Sequence, residues 1–348
     1  MKILILAGGS GVRFWPLSTK AKPKQLLNLV SEKSMIRETV ERILRLVSYD
    51  DIFIATNKVQ VEKIKSEIPE LRSENIIIEP AFRDTAAAIA YGSTYISKYE
   101  TNPTVVVLAA DHLIQNTDAF LKSIKISVEE ALKGNIITLG IKPTKPETGY
   151  GYIKIDSAVL NTPTRAQKFM EKPNYETALN YIRDGNYMWN SGIFIFKYNT
   201  IMDELEKYVP NHISILNQMR NLIFNYQGIQ LSEKVMNLFI NFDRISIDYA
   251  VMEKSTLIKC IPVDIGWNDI GGYNSLADLF AKDNYNNVVK NARYVYLDSN
   301  ENIIISEDKN RLITSIGVTN MIIVDSINGI LICNRNDSQR IKELINLI

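Results

Sequence analysis

Short apolar runs recur along the first 140 residues, at Ile3–Leu6, Ile52–Ala55, Ile76–Ile78, Thr104–Leu108 and Ile136–Leu139. They are rich in Ile and Val and apolar on both faces, as buried parallel strands are. Amphipathic stretches lie between them. Met35–Val47 sets Ile36, Val40, Ile43, Leu44 and Val47 on one helical face, with Ser34 as N-cap. Asn57 is placed to cap a helix over Lys58–Ile68, and Thr117 one running to Leu132. Strand, helix and strand at this rhythm predict βαβ units and a Rossmann-like, mostly parallel α/β sheet with helices on both faces.

From residue 141 to 280 the rhythm loosens. Strand-like pieces occur at Tyr152–Ile155, Ala166–Met170 and Gly192–Phe196; helical pieces occur at Tyr175–Asp184 (capped by Asn174), Ile201–Tyr208 and Lys234–Ile240. This region reads as an insertion carrying a second substrate, continuous with the same core. The polar run at Asp283–Asn287 marks a linker. Beyond it, Ala292–Leu297, Asn302–Ile305, Arg311–Ile316, Met321–Val324 and Gly329–Cys333 predict short strands divided by Asn, Asp, Ser and Gly turns, with a closing helix over Ser338–Leu347. The expected division is a catalytic domain at 1–282 and a small all-β module at 283–348 of partial β-helix type, without a strict hexapeptide repeat.

Composition narrows the function classes. The 348 residues include 40 basic and 39 acidic ones, and no extended basic stretch occurs, which argues against nucleic-acid binding. No apolar run approaches the roughly 18 residues of a membrane span. The chain enters a strand within two residues, so no signal peptide is expected. Cys260 and Cys333 lack metal-ligand spacing and read as buried thiols of a reducing compartment. A soluble cytoplasmic protein is expected. His112 and His212 are the only histidines, which disfavours hydrolytic triads and zinc chemistry.

The first strand runs directly into Ala7-Gly8-Gly9-Ser10-Gly11-Val12-Arg13-Phe14-Trp15-Pro16, and Pro23-Lys24 follows. Glycines permit φ > 0 and let backbone N–H groups approach phosphate oxygens, while Arg13 and Lys24 supply positive charge. A Walker A loop needs Gly-Lys-Ser/Thr where this chain has Gly11-Val12-Arg13. A dinucleotide fingerprint needs a third glycine and a helix where Phe14 and Pro16 stand. The remaining readings are a polyphosphate cradle and a glycine-rich turn.

Asp111 follows the strand Thr104–Leu108, where an open α/β sheet places a metal-binding carboxylate; capping of a following helix is the alternative. Asp269 in Gly266-Trp267-Asn268-Asp269-Ile270-Gly271 is a second carboxylate, or a turn residue. Thr148-Gly149-Tyr150-Gly151-Tyr152 is a glycine-flanked turn or an aromatic hairpin. Glu171-Lys172-Pro173 pairs an acceptor for hydroxyls with a cation for phosphate, though a bare surface ion pair has the same composition. Asn190, in Trp189-Asn190-Ser191-Gly192 ahead of the strand Ile193–Phe196, offers an amide that donates and accepts.

In order along nearly the whole chain stand AGGSGVRFWPLS with PKQLL, AADH, PTKPETGYGYI, FMEKP, YMWNSGIF, SIDYAVMEK and GWNDIGGY. This set closely resembles the mannose-1-phosphate guanylyltransferases, a branch of the sugar-1-phosphate nucleotidyltransferases. Phe14 stands where the signature usually has Leu. The resemblance implies that Ala7, Gly8, Gly9, Gly11, Arg13, Lys24, Arg83, Asp84, Thr85 and Asp111 bind the nucleotide. Arg13, Lys24 and Asp111 would act in catalysis, and Asp111 and Asp269 would hold Mg²⁺. Glu171 and Asn190 would meet hexose hydroxyls with Gly149 close by, and Lys172 would bind the sugar phosphate. Asp248 belongs to a family motif without an assigned contact. Where the family shows Gly-Arg-Asn-Thr-Ala-Pro-Ala, this chain has Asp84 for Asn and Ala87 for Pro; Asp still accepts from the N1–H and N2–H₂ edge of guanine.

The implied reaction joins GTP and mannose 1-phosphate into GDP-mannose with release of pyrophosphate. The sugar phosphate is mostly a dianion at pH 7 and needs no general base. Catalysis therefore reduces to positioning and charge neutralisation by Arg13, Lys24, Lys172 and Mg²⁺. The runner-up is a relative using another nucleotide or hexose, such as a glucose-1-phosphate thymidylyl- or uridylyltransferase. A non-catalytic sugar-nucleotide sensor is a further alternative, disfavoured because Arg13, Lys24 and Asp111 are all present. Some family members carry a cupin-type isomerase domain, for which the residues after the linker are too few. A homodimer packed through the β module is the remaining partner expectation.

Overall fold

A computed structural model describes residues 1–9, 11–225 and 233–348; Ser10 of the glycine loop lies outside the described residues. The chain divides into two compact units. The first comprises Met1–Gly8, Thr39–Ala110 and Ile114–Trp267; the second comprises Gly9–Glu38, Asp111–Leu113 and Asn268–Ile348.

The first unit is built on a nine-stranded sheet. Its strands are β1 (Lys2–Leu6), β2 (Ile52–Asn57), β3 (Ile76–Glu79), β4 (Thr104–Ala109), β5 (Ile136–Ile141), β6 (Tyr152–Ile155), β7 (Thr164–Met170), β8 (Tyr187–Lys197) and β9 (Ile258–Val263). They lie in the order β3-β2-β1-β4-β8-β5-β9-β7-β6. The first four are mutually parallel, as is the β5–β9 pair, whereas β8 runs antiparallel to β4 and β5. Strand order reverses at β1 and β4, so the chain after each strand leaves from the switch point of the sheet, where open α/β folds bind ligands. The glycine loop follows β1 and Asp111 follows β4.

Several local expectations hold. Asn174 caps Tyr175–Asp184 by accepting from the Thr177 N–H at 2.8 Å. Ser34 Oγ accepts from Arg37 N at 3.3 Å at the start of Met35–Ile43. Others shift. The helix over Thr117–Ala131 is capped by Asn116, which accepts from Ala119 N at 3.0 Å; Thr117 is its first residue. Asn57 instead closes a turn through Val59 N, and the helix begins at Val61. Strand β8 begins at Tyr187, so Asn190 lies within a strand rather than ahead of one.

Two helices carry no amphipathic signature strong enough to reveal them. Asp84–Ile96 is buried from Ala86 through Ile96, and a helix apolar all round shows no wet face to set a period. Pro210–Asn225 follows directly on Tyr198–Tyr208. Both helices contribute to one core with Leu4, Phe53, Val105, Phe194 and Phe196. No helix among the described residues is long and apolar enough to cross a membrane.

The second unit joins the glycine loop to the C-terminal module. Val288–Lys290, Ile303–Ser306 and Met321–Ser326 form a parallel ladder, closed by antiparallel Gly329–Asn334. A second sheet pairs Arg293–Leu297 with Leu312–Ile316, also in parallel. Parallel strands joined by short turns coil as a β-helix. Inside the coil, buried Ile303, Ile305, Ile322 and Val324 stack with Val288. At one corner Asn302 Nδ2 donates to Asn287 Oδ1 at 3.1 Å, and Asn302 Oδ1 accepts from Met321 N at 2.9 Å. These side chains satisfy the backbone groups that a buried turn would otherwise strand. The same core takes in Phe14, Leu17, Leu27 and Leu29 from the N-terminal loops.

Candidate functional site

In the second unit the glycine loop is held at both ends. Gly11 adopts φ +59°, and a Cβ there would come within 2.3 Å of Lys24 N. Only glycine allows that approach. Phe14 is buried and packs edge-on against Tyr273, ring centroids 5.1 Å apart, while the Tyr273 hydroxyl donates to Phe14 O at 2.8 Å. Gln25 Nε2 donates to Gly9 O at 3.1 Å. The loop is thereby anchored to the turn Lys24–Leu26 that begins after Pro23.

Lys24 is the centre of this cluster. Its Nζ lies 2.9 Å from Asp111 Oδ2 and donates to Asp269 O at 2.5 Å. Arg13 Nη1 donates to Gly271 O at 3.1 Å. Segment 268–271 turns sharply enough to aim both carbonyls at cations: Asn268 Oδ1 accepts from Ile270 N at 2.7 Å, and Ile270 has φ +44°. A β-branched residue in that region is strained, and its full burial in the core holds it there. Burial pushes the Asp111 carboxyl up, but the Lys24 charge, with His112 beside it, outweighs this and holds it below the usual carboxylate range. Asp111, Asp269, Arg13 and Lys24 thus form one polar group of hard oxygens and cations. Asp111 caps no helix, since Asn116 does.

A second cluster lies in the first unit. Lys172 Nζ meets Glu171 Oε1 at 2.8 Å, and Lys172 takes φ +47° ahead of Pro173, with its N–H donated to Tyr150 O at 3.2 Å. A left-handed residue before proline is costly, and such strain persists where surrounding bonds over-determine it. Burial works against the Lys172 charge, yet its bond to Glu171 raises its pKa above the ordinary value. Asn190 Nδ2 donates to Asp248 Oδ1 at 2.9 Å. Burial, with Glu171 nearby, pushes the Asp248 carboxyl up to about 7. A Cβ on Gly151 would meet Glu171 Oε2 at 2.5 Å and Asn190 Cβ at 3.3 Å. The glycine of close approach here is Gly151; Gly149 donates its N–H to Glu147 Oε1 at 3.1 Å within its own loop.

Arg83, Asp84 and Thr85 are engaged with the protein backbone. Arg83 Nη2 donates to Ile240 O at 2.5 Å, Asp84 Oδ1 accepts from Thr85 N at 2.8 Å, and Thr85 Oγ1 accepts from Ile247 N at 2.8 Å. Asp84 has φ +66°, a conformation that Asn and Asp both tolerate. The exchange of Asn for Asp84 therefore keeps the backbone turn at the start of Asp84–Ile96.

Glu79, which no motif in the sequence singles out, ends β3 with its Oε1 3.2 Å from where a Gly8 Cβ would stand. Burial raises its pKa to about 7. A lone acid closing an apolar run was the available signal.

Comparison with known proteins places the chain in one lineage. A nucleotidyl transferase family model matches residues 2–286, and a mannoseP isomerase/GMP-like beta-helix domain matches 292–347. The chain is 35% identical over 350 residues to a mannose-1-phosphate guanylyltransferase of Escherichia coli, spanning 99% of this chain and 73% of the relative. It is 36% identical over 361 residues to mannose-1-phosphate guanylyltransferase RfbM of Salmonella typhimurium, spanning 99% and 72%. Among solved structures it is similar to a mannose-1-phosphate geranyltransferase from Thermus thermophilus, with TM-score 0.88 and 29% identity over 99% of this chain and 98% of that one. The chain belongs to the nucleotidyl transferase family, among its mannose-1-phosphate guanylyltransferases.

Proposed function

We propose that this protein transfers a guanylyl group from GTP to mannose 1-phosphate, giving GDP-mannose and pyrophosphate. The observation that carries the chemistry is the Lys24 ammonium set between the Asp111 carboxylate and the Asp269 carbonyl. Mannose 1-phosphate and the guanylyl group are the ones in the names of the relatives.

In this reading Ala7, Gly8, Gly9, Gly11, Arg13 and Lys24 take the triphosphate. Lys24 and Arg13 counter charge that develops on departing pyrophosphate, which is the largest demand in such a transfer. Arg83, Asp84 and Thr85 serve the nucleotide by holding the start of their helix. Glu171, Asn190 and Gly149 serve the hexose, and Lys172 its phosphate. The attacking phosphate is already mostly ionised at pH 7, so no residue need act as general base.

Asp111 and Asp269 fit a hard divalent ion: both are carboxylates, and Mg²⁺ commonly takes one or two of these beside ligand phosphates. Bound there, Mg²⁺ would neutralise phosphate charge. The functional boundary at 282/283 belongs to the same proposal and is supported by the two family models, which divide between 286 and 292. So do a cytoplasmic location, supported by two free cysteines, and a homodimer, supported by exposed Val295, Leu297, Leu312 and Ile316 on one sheet of the coil. Light scattering tests the dimer; a monomeric mass removes it.

The decisive experiment is pyrophosphate release from ATP, GTP, UTP and dTTP, each with mannose 1-phosphate and with glucose 1-phosphate. GTP with mannose 1-phosphate should be fastest. A faster rate with UTP or dTTP and glucose 1-phosphate overturns the reading in favour of its runner-up.

A further inference from the structure

Residues Ser246–Lys254 form a motif that the proposed reaction leaves without a task. The segment is a brace attached at several points of the first unit. Ile247 N donates to Thr85 Oγ1 at 2.8 Å, Asp248 Oδ1 accepts from Asn190 Nδ2 at 2.9 Å, and Glu253 Oε1 accepts from Glu171 N at 3.2 Å. The wide helical turn Asp248–Met252 lies between the two carboxylates, Asp248 on Asn190 within β8 and Glu253 on Glu171 just after β7.

The hydrogen bonds also fix which way Asn190 points. Its Oδ1 accepts from Gly192 N and from Thr138 Oγ1, each at 3.1 Å, so both lone pairs are used. Its Nδ2 gives one proton to Asp248. A hydroxyl arriving at Asn190 can therefore only receive a hydrogen bond from it. For that hydroxyl to donate in turn an acceptor must stand beside it, and Asp248 is the carboxylate bonded to this amide. Asn190 and Asp248 are both half-buried.

We propose that Asp248 is a specificity-determining residue of the hexose site: it orients the Asn190 carboxamide and accepts from the same sugar hydroxyl to which Asn190 donates. The inference rests on the reading of this cluster as the hexose side of the reaction. A hydroxyl read in both directions is recognised by position, because an epimer that moves it leaves a donor and an acceptor unpaired. Glu171, with one oxygen on Lys172, is the neighbouring acceptor, so the pair suits a sugar presenting adjacent hydroxyls.

The test is steady-state kinetics of Asp248→Ala and Asp248→Asn with mannose 1-phosphate, glucose 1-phosphate and GTP varied in turn. The alanine variant should raise KM for mannose 1-phosphate by about tenfold to hundredfold. Its KM for GTP should stay within roughly twofold, and its preference for mannose over glucose should shrink by about tenfold or more. The asparagine variant, which keeps the volume but loses an acceptor, should lose the same preference; it carries the test if the alanine variant does not fold. Unchanged KM and preference in a folded variant, or an equal rise in both KM values, overturns the inference while leaving the activity intact. A wild-type chain inactive on GTP and mannose 1-phosphate removes the functional reading and the inference with it.

Discussion

Lys24 Nζ and Asp111 Oδ2 stand 2.9 Å apart, joining the loop after the first strand to the loop after the fourth. The Lys24 side chain is only 8% exposed, so its charge sits in surroundings that screen it weakly. A cation held this way is positioned by the fold before phosphate charge arrives.

Replacing Lys24 with Ala should lower kcat by a factor on the order of 10² to 10³, with the far-ultraviolet spectrum unchanged. Arg13→Ala, which touches the protein only through Gly271 O among the described bonds, should show a similar loss. Pyrophosphate release measures both. A near-normal rate in either would remove that residue from the catalytic assignment.

Gly11→Ala should cost about 2 kcal/mol or more, since the left-handed backbone and the contact with Lys24 N both oppose a methyl group. Gly9→Ala is the matched control for stability, because a Cβ there would find nothing within 4 Å. Denaturant melts of the two variants check the difference. Equal midpoints would show that the loop relaxes freely.

Chelation of divalent cations should stop turnover, and added Mg²⁺ should restore it, because Asp111 and Asp269 supply only two carboxylates against a triphosphate. Titration of activity against free Mg²⁺ measures this. Persistent turnover in excess chelator would contradict the metal assignment.

Glu79 sets a pH dependence of stability. Its folded pKa, about 7, lies above the ordinary 4.5, so the folded state holds the proton more tightly than the unfolded one. The stability from this group is complete below about pH 4.5 and is lost as pH rises toward 7, by on the order of 3 kcal/mol. Glu79→Gln should flatten the stability profile across that window. An unchanged slope would show that the carboxyl is solvated.

His212 works in the opposite direction. It is fully buried, neither ring nitrogen has a hydrogen-bond partner, and Asp243 Oδ2 is 3.9 Å from Nδ1. Burial lowers its pKa below 6.5 despite Asp243, so the unfolded chain takes up the proton first. Stability is full above pH 6.5 and falls as the pH drops from there through the lowered value. His212→Phe, which keeps the ring contact with Phe242, should remove that fall, as thermal melts from about pH 7.5 to 5 would reveal.

The strands at Ile3, Ile52, Ile76 and Thr104 were legible because a run of Ile and Val at the sheet centre is apolar whichever way it faces. The caps at Ser34 and Asn174 were legible because capping is a local bond. The helix Asp84–Ile96 was not, since periodicity needs a wet side and this helix has almost none. Asp248 was visible as a motif, but its bond to Asn190 spans 58 positions.

The sequence by itself determined the chemistry on offer: a glycine loop with Arg13 and Lys24, carboxylates at 111 and 269, and an Asn and Glu for hydroxyls. Those properties belong to residue types and near neighbours. The tertiary structure alone decided which groups meet. It turned Asp269 to Lys24 by its carbonyl, tied Thr85 to Ile247, made Gly151 the point of close approach, and packed Phe14 into the same core as the C-terminal coil. Long-range contacts of this kind follow from burying complementary surfaces together, and no local period records which distant surface will be the complement.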